Sequence, residues 1–230
     1  MTVQLSFDGA VATVTINGPN GNRLNAETAE ALRDAWRKIG ADDAVRCAIL
    51  TGAGDSFCEG SDGPLPVSLD PTDHGVWKPV VVAVHGHCAG AGLRFVGQGD
   101  VILAAEGAVF AGAPLAEGVP FEDLLYQRRR LAMPLAELLV LSGGGWTIDA
   151  ARAYEVGWVS ELTSLDRLLA RAGEIAAAIA RNDPAAVQRT KEILIRGRDL
   201  FTRDAVEQAR AAVLPLDRNR AALAAILARG

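Results

Sequence analysis

The sequence predicts an α/β fold made of repeating strand–strand–helix units with a helical C-terminal region. Three observations predict it: an alternating N-terminal hairpin, two apolar runs that each end in a glycine-rich turn, and three-and-four spacing of apolar residues after Phe121. A strand exposes alternate residues to one face and a helix every third or fourth, so the change of period marks the change of element.

Val3, Leu5 and Phe7, then Val11, Thr13 and Thr15, alternate about Asp8-Gly9 and read as a β-hairpin with a tight turn. Asn25 is placed to cap a helix whose apolar stripe is Ala29, Leu32, Trp36 and Ile39, with Glu27 and Glu30 in its first turns. Cys47 to Thr51 reads as a short buried strand, completing a ββα rhythm. The stretch Gly63 to Lys78 mixes proline, aspartate and glycine and reads as loop rather than helix. Pro79 to Val84 is a second buried strand, Leu93 to Val96 begins a helix, and Val101 to Ala104 and Val109-Phe110 repeat the strand pair. Beyond Phe121, Leu165, Leu168, Ala172, Ile175 and Ile179 form one helical stripe, while Asp183-Pro184 supplies an N-cap and a first-turn proline for the next helix. Ala176, Ala177 and Ala178 permit close helix packing. Strands are thus expected in the first half and helices in the second. The division is a core at residues 1–160 and a helical, oligomer-forming region at 161–230.

Half of the 230 residues are apolar, yet no run has the length of a membrane span, and the alternating start lacks the layout of a signal peptide. A cytoplasmic location is expected. The net charge of −5 argues against a nucleic-acid groove, and Arg128, Arg129 and Arg130 read as a solvated helix end. Cys47, Cys58 and Cys88 are odd in number and have no C-x-x-C pair, so neither a disulfide framework nor a metal site is expected.

The chemistry-bearing segments are the glycine-rich turns FCEGSDGPL, Phe57 to Leu65, and HGHCAGAGL, His85 to Leu93. Small residues at Gly60, Ser61, Gly90, Ala91 and Gly92 leave main-chain N–H groups open to approach, which suits two amides aimed at one substrate oxygen.

At these residues the chain resembles the crotonase, or enoyl-CoA hydratase/isomerase, family. NRLN at Asn22 to Asn25 resembles the family's N-A-L-N. ILTGAGDSFCEGSD and AVHGHCAGAGL resemble its two oxyanion segments, and TIDAARAYEVGWVSEL the helix-turn before its C-terminal helices. The resemblance implies a crotonase-like spiral of ββα units and homotrimers or dimers of trimers. It also implies that an acyl-CoA thioester is the substrate, with no further cofactor, and that the amides of Ser61 and Ala91 hold the enolate. Gly60, Asp62, Gly90, Gly92 and Arg23 then line the substrate, with Asp62 fixing its loop and Arg23 near the coenzyme A entrance.

The departures are equally specific. Where hydratases of the family carry two glutamates, this chain has Arg94 and Pro114, neither of which can act as a carboxylate base. Glu122 falls where the family's isomerases place a single glutamate, with Asp123 and Glu117 as alternatives. Glu122 and Asp123 also suit the start of a helix at Phe121 to Arg130, where acids favour the dipole. One acid suffices for double-bond isomerisation, so that reaction is expected. The rivals are a non-catalytic acyl-CoA binder and an atypical hydratase or thioester hydrolase.

Other signals are weaker. His85 reads as a hydrogen-bonding residue of its turn, and His87 and His74 lack a third metal ligand. GAGLRF imitates a dinucleotide-binding turn without its third glycine, and Ser61 stands in no G-x-S-x-G elbow. Trp77 reads as a packing residue.

Overall fold

The computed structural model describes residues 2–63, 65, 68–112 and 131–199. Strands β1 (Val3–Asp8) and β2 (Val11–Ile16) form the antiparallel hairpin, with Asp8 paired to Val11 around Gly9, whose φ is +55°. Helix α1 (Ala26–Ala41) follows, and β3 (Cys47–Gly52) returns parallel to β2. Next come β4 (Val80–Val84), β5 (His87–Ala89) and α2 (Ala91–Gln98), then β6 (Val101–Ala105) and β7 (Val109–Ala111). After the undescribed stretch stand α3 (Met133–Leu141), β8 (Thr147–Asp149), α4 (Ala150–Glu155), β9 (Glu161–Thr163), α5 (Leu168–Ala180) and α6 (Pro184–Asp199).

Two sheets result. The larger has the order β1-β2-β3-β4-β6-β9 and is parallel from β2 onward; the smaller has the order β5-β7-β8. Each of β4 and β6 enters the large sheet, and the strand after it, β5 or β7, enters the small one. This is the spiral of strand pairs that the rhythm predicts.

Burial on both faces explains why β3 and β4 read as continuous apolar runs. Ala48, Leu50, Val80, Val82 and Val84 face the main core with Leu32, Trp36 and Ile39 of α1. Their neighbours Cys47, Ile49, Val81 and Ala83 face α5 on the other side. The cap is as expected: the Asn25 side chain accepts from the Thr28 N–H at 2.9 Å and from the Thr28 hydroxyl at 3.0 Å. Asp183 Oδ1 likewise accepts from the Ala186 N–H at 2.8 Å.

Several expectations are corrected. The second half is not helical throughout, because β8 and β9 each add three residues to a sheet edge. The buried stripe of α5 is Leu168, Ala172, Ala176 and Ala180; Leu165 lies before the helix and is 65% exposed, and Ile175 and Ile179 are only partly buried. Small side chains let the helix axis lie close on the sheet, so the four-residue repeat of Leu168 and the alanines wins the contact over the bulkier isoleucines. Of the alanine trio, Ala176 is buried while Ala177 and Ala178 face outward. The loop before β4 contains one 3₁₀ turn, Pro71–His74. Beyond residue 160, β9 pairs with β6 and α5 covers the large sheet.

The N-terminal edge of the parallel strands is fastened by charges. The buried Lys78 ammonium donates to the carbonyls of Ile39 and Asp42, at 2.6 Å each, closing the end of α1. Desolvation holds its pKa below the usual lysine value, against the opposing pull of Asp43 and Asp42. Lys191 of α6, also buried, pairs with Asp100 at 2.8 Å and donates to the Lys78 carbonyl at 3.0 Å. Asp100 in turn accepts from the Val80 N–H at 2.7 Å.

The α5 contact yields a test. Ala172→Leu should overpack the interface and cost about 1–3 kcal/mol in urea unfolding, whereas Leu165→Ala should stay within about 0.5 kcal/mol.

Candidate functional site

The glycine turns lie at the C-terminal edge of the parallel strands, one after β3 and one after β4. They run side by side. The Phe57 N–H donates to the His85 and His87 carbonyls at 2.9 and 3.1 Å, Cys58 N–H to His87 at 3.1 Å, and Ala89 N–H to Cys58 at 2.9 Å. These bonds make a parallel bridge between Cys58 and Cys88. Ser61 and Ala91 each stand three residues beyond it, so the two peptide groups follow the same bridge in register.

The glycines serve this contact. A Cβ on Gly92 would lie 2.4 Å from the Cys58 carbonyl oxygen, and one on Gly86 would lie 1.8 Å from that of Asp55. Gly60 has φ +121° and Gly90 φ +50°, regions that residues with a Cβ avoid. Of the small residues that the sequence singles out, Gly92 is one that the contact between the turns requires; Gly86 is another residue it requires.

Ser61 is half-buried and bridges Leu24: Leu24 N–H donates to the Gly60 carbonyl at 2.8 Å, and Asp62 N–H to the Leu24 carbonyl at 2.8 Å. That pattern leaves the Ser61 N–H directed away from Leu24. Ala91, also half-buried, is the first residue of α2, where N–H groups have no partner within the helix. Among the described residues neither N–H donates a hydrogen bond. Both belong to segments fixed on either side, and the second has a helix dipole behind it.

Of the remaining residues named from the sequence, Arg23, Asp62, His85 and His87 lie on or against these turns, whereas His74 and Trp77 precede β4. Arg23 donates from Nε to Asp62 Oδ1 at 2.6 Å, from one terminal nitrogen to the Glu59 carbonyl at 2.9 Å, and from the other to the Ser61 carbonyl. Asp62 is exposed and thus tied into the loop by its side chain and its N–H. His85 is buried and its Nε2 lies 3.0 Å from the Gly54 carbonyl, a turn-bracing role as read from sequence. His87 is exposed, and His74 Nε2 lies 2.8 Å from the Ser68 carbonyl. Trp77 stacks against the Arg196 guanidinium at 6.0 Å. Arg94 is half-buried, one turn after Ala91 on the same side of α2. Glu122, Asp123, Glu117, Pro114 and Arg128, Arg129 and Arg130 lie outside the described residues. Among the described residues no three His, Cys, Asp or Glu side chains gather as metal ligands, and no helix is long and apolar enough to cross a membrane.

Two residues of the quoted motifs have roles that the sequence did not reveal. Asn22, buried with φ +60°, donates to the Ala53 and Ser56 carbonyls at 2.8 and 2.7 Å, while its Oδ1 accepts from the Gly18 N–H at 3.0 Å. Glu59 accepts from the Ser56 hydroxyl at 2.6 Å, and its N–H donates to the Gly21 carbonyl at 2.9 Å. The signal for Asn22 was its type, since asparagine tolerates a left-handed backbone.

The cysteines behave as packing residues. Burial pushes the thiols of Cys47 and Cys58 up to about 12 and that of Cys88 upward as well.

A sequence pattern of the enoyl-CoA hydratase/isomerase family matches residues 6–64 and 74–215. The chain is 29% identical over 218 residues to the (E)-benzylidenesuccinyl-CoA hydratase of Thauera aromatica, across 87% of this chain and 84% of that protein. It is 30% identical over 214 residues to the short-chain-enoyl-CoA hydratase of Clostridium acetobutylicum, across 85% of this chain and 81% of that one. Its fold superposes on a crystal structure of an enoyl-CoA hydratase from Mycobacterium smegmatis with a TM-score of 0.84 at 29% identity, covering 95% and 99% of the two chains.

Two tests follow from the turns. Gly92→Ala should cost about 1–3 kcal/mol of stability, whereas Gly107→Ala, whose Cβ would meet nothing within 4 Å, should stay within about 0.5 kcal/mol. The thiols, raised in the folded state from a reference near 9.0, should stabilise fully below that value. Above it the unfolded chain binds fewer protons, so stability should fall as pH rises from 9.0 towards about 12, measured by urea unfolding at each pH.

Proposed function

This chain belongs to the enoyl-CoA hydratase/isomerase family, and we propose on that footing that it binds an acyl-CoA thioester with the carbonyl oxygen held by the Ser61 and Ala91 amides. The observation that carries the reading is the pair of unengaged N–H groups set in register beyond the Cys58–Cys88 bridge. Amides held by the fold stabilise charge as it develops on the oxygen and need no reorganisation. Withdrawal of an α-proton then leaves an enolate whose negative charge the two donors share. Gly60, Gly90 and Gly92 keep the approach open, and Asp62 steadies the loop.

The proton carrier is proposed as Glu122, and the reaction as isomerisation of an enoyl-CoA. A single carboxylate removes a proton from C2 of a 3-enoyl thioester, electrons move into the carbonyl, and the same carboxyl, its acidic proton exchanging with solvent, delivers a proton at C4. The product is the 2-enoyl thioester, with no net gain or loss of atoms. The support is Arg94, a permanent cation where two-glutamate hydration needs a carboxylate. Addition of water is the second reading, favoured by the relatives named hydratases in Thauera aromatica and Clostridium acetobutylicum. Assembly into trimers or dimers of trimers, and a cytoplasmic site of action, complete the proposal.

Incubation with 2-enoyl- and 3-enoyl-CoA in heavy water, followed by mass spectrometry, separates the readings. Deuterium gained without added water is the outcome expected. A hydrated product would establish hydration instead, and tight binding without exchange would leave a non-catalytic binder. Glu122→Gln should lower exchange by at least about 10² while coenzyme A affinity stays within about threefold; unchanged exchange would remove Glu122 from the reaction.

A further inference from the structure

We propose that Arg23 is a positioning residue that steadies the peptide carrying the Ser61 N–H, rather than a ligand of a coenzyme A phosphate. The inference rests on the reading of Ser61 and Ala91 as the amides that hold the thioester oxygen. Three consecutive peptide planes of the first turn are gripped from one side. Arg23 donates to the Glu59 carbonyl at 2.9 Å and to the Ser61 carbonyl, and Leu24 N–H donates to the Gly60 carbonyl between them at 2.8 Å. In a trans peptide the N–H points opposite to the preceding C=O. Anchoring the Gly60 carbonyl on Leu24 therefore aims the Ser61 N–H the other way, and the two flanking carbonyls stop that plane from rocking.

The guanidinium suits this task. It is planar and carries five donors in a fixed fork, and here Nε and both terminal nitrogens are engaged, with Asp62 Oδ1 at 2.6 Å completing the set. A lysine is a single point of charge and cannot span Glu59, Ser61 and Asp62 together. The loop is also shaped around this side chain: a Cβ on Gly60 would lie 3.2 Å from the Arg23 terminal nitrogen. Asp62 orients Arg23, Leu24 aims the peptide, and Arg23 holds its neighbours still.

The test reads the carbonyl directly. Crotonyl-CoA labelled with ¹³C at the thioester carbon is bound to the wild-type protein and to the Arg23→Lys, Arg23→Gln and Asp62→Asn variants, and the carbonyl stretch is followed by infrared difference spectroscopy beside calorimetric affinity. The wild-type protein should lower the stretching frequency. Both Arg23 variants should lose at least about half of that shift with affinity within about threefold of wild type. Asp62→Asn should lose less, because the two carbonyl contacts survive. An unchanged shift in both Arg23 variants overturns the proposal. So does an affinity about tenfold weaker with the shift intact, if the pantetheine thioester, which lacks the nucleotide phosphates, binds all forms alike: Arg23 would then be a phosphate ligand. Should Arg23→Gln fail to fold, Arg23→Lys and Asp62→Asn decide by the same criteria. Binding without any shift in the wild-type protein removes the amide reading itself, and the role of Arg23 with it.

Discussion

The contact between the two glycine turns is the constraint on which the rest depends. Each turn leaves a different parallel strand, and a short ladder from Phe57 to Ala89 joins them through the Cys58–Cys88 bridge. Without the missing Cβ atoms of Gly86 and Gly92 that ladder cannot form, since side chains there would strike the carbonyl oxygens of Asp55 and Cys58. The fold thus brings two segments about thirty residues apart into one register, and Gly86 and Gly92 are the residues whose missing side chains permit it.

Behind the turns, the parallel strands supply rigidity. Alternate residues of β3 and β4 send one row towards α1 and the other towards α5, so neither face can slide without unburying its partner. Sites at the C-terminal ends of such strands inherit that stiffness, and ligand sites of open parallel sheets are found at this edge. The first turn has a second anchor in Asn22, Arg23 and Leu24, which come from before α1 and bond to residues 53 to 62. The short N-terminal segment is as much a part of the site as the turns themselves.

Much of this was legible in the sequence. The hairpin, the stripe Ala29, Leu32, Trp36 and Ile39, the Asn25 cap and the two buried strands follow from period and capping chemistry alone. The strands β8 and β9 were not legible, because three residues are too few to show alternation and their pairing is decided by sheet edges formed elsewhere. On α5, bulk misled: Ile175 and Ile179 carry the apolar signal, but Ala172 and Ala176 carry the close contact. At the site, the motifs identified the turns, whereas the grip of Arg23 on Glu59, Ser61 and Asp62 spans 36 to 39 residues and arises only once the chain is folded.

The charges at the opposite edge of the sheet have a consequence for how such a protein can diverge. Lys78, Lys191 and Asp100 stitch α1, α6 and the starts of β4 and β6 into one unit through main-chain hydrogen bonds and the Lys191–Asp100 ion pair. A scaffold secured at its base transmits little of the disturbance made at its rim. Loops at the other end can be lengthened, shortened or recoloured with new side chains while the foundation keeps its shape, which is how one architecture can be retuned to many acyl groups.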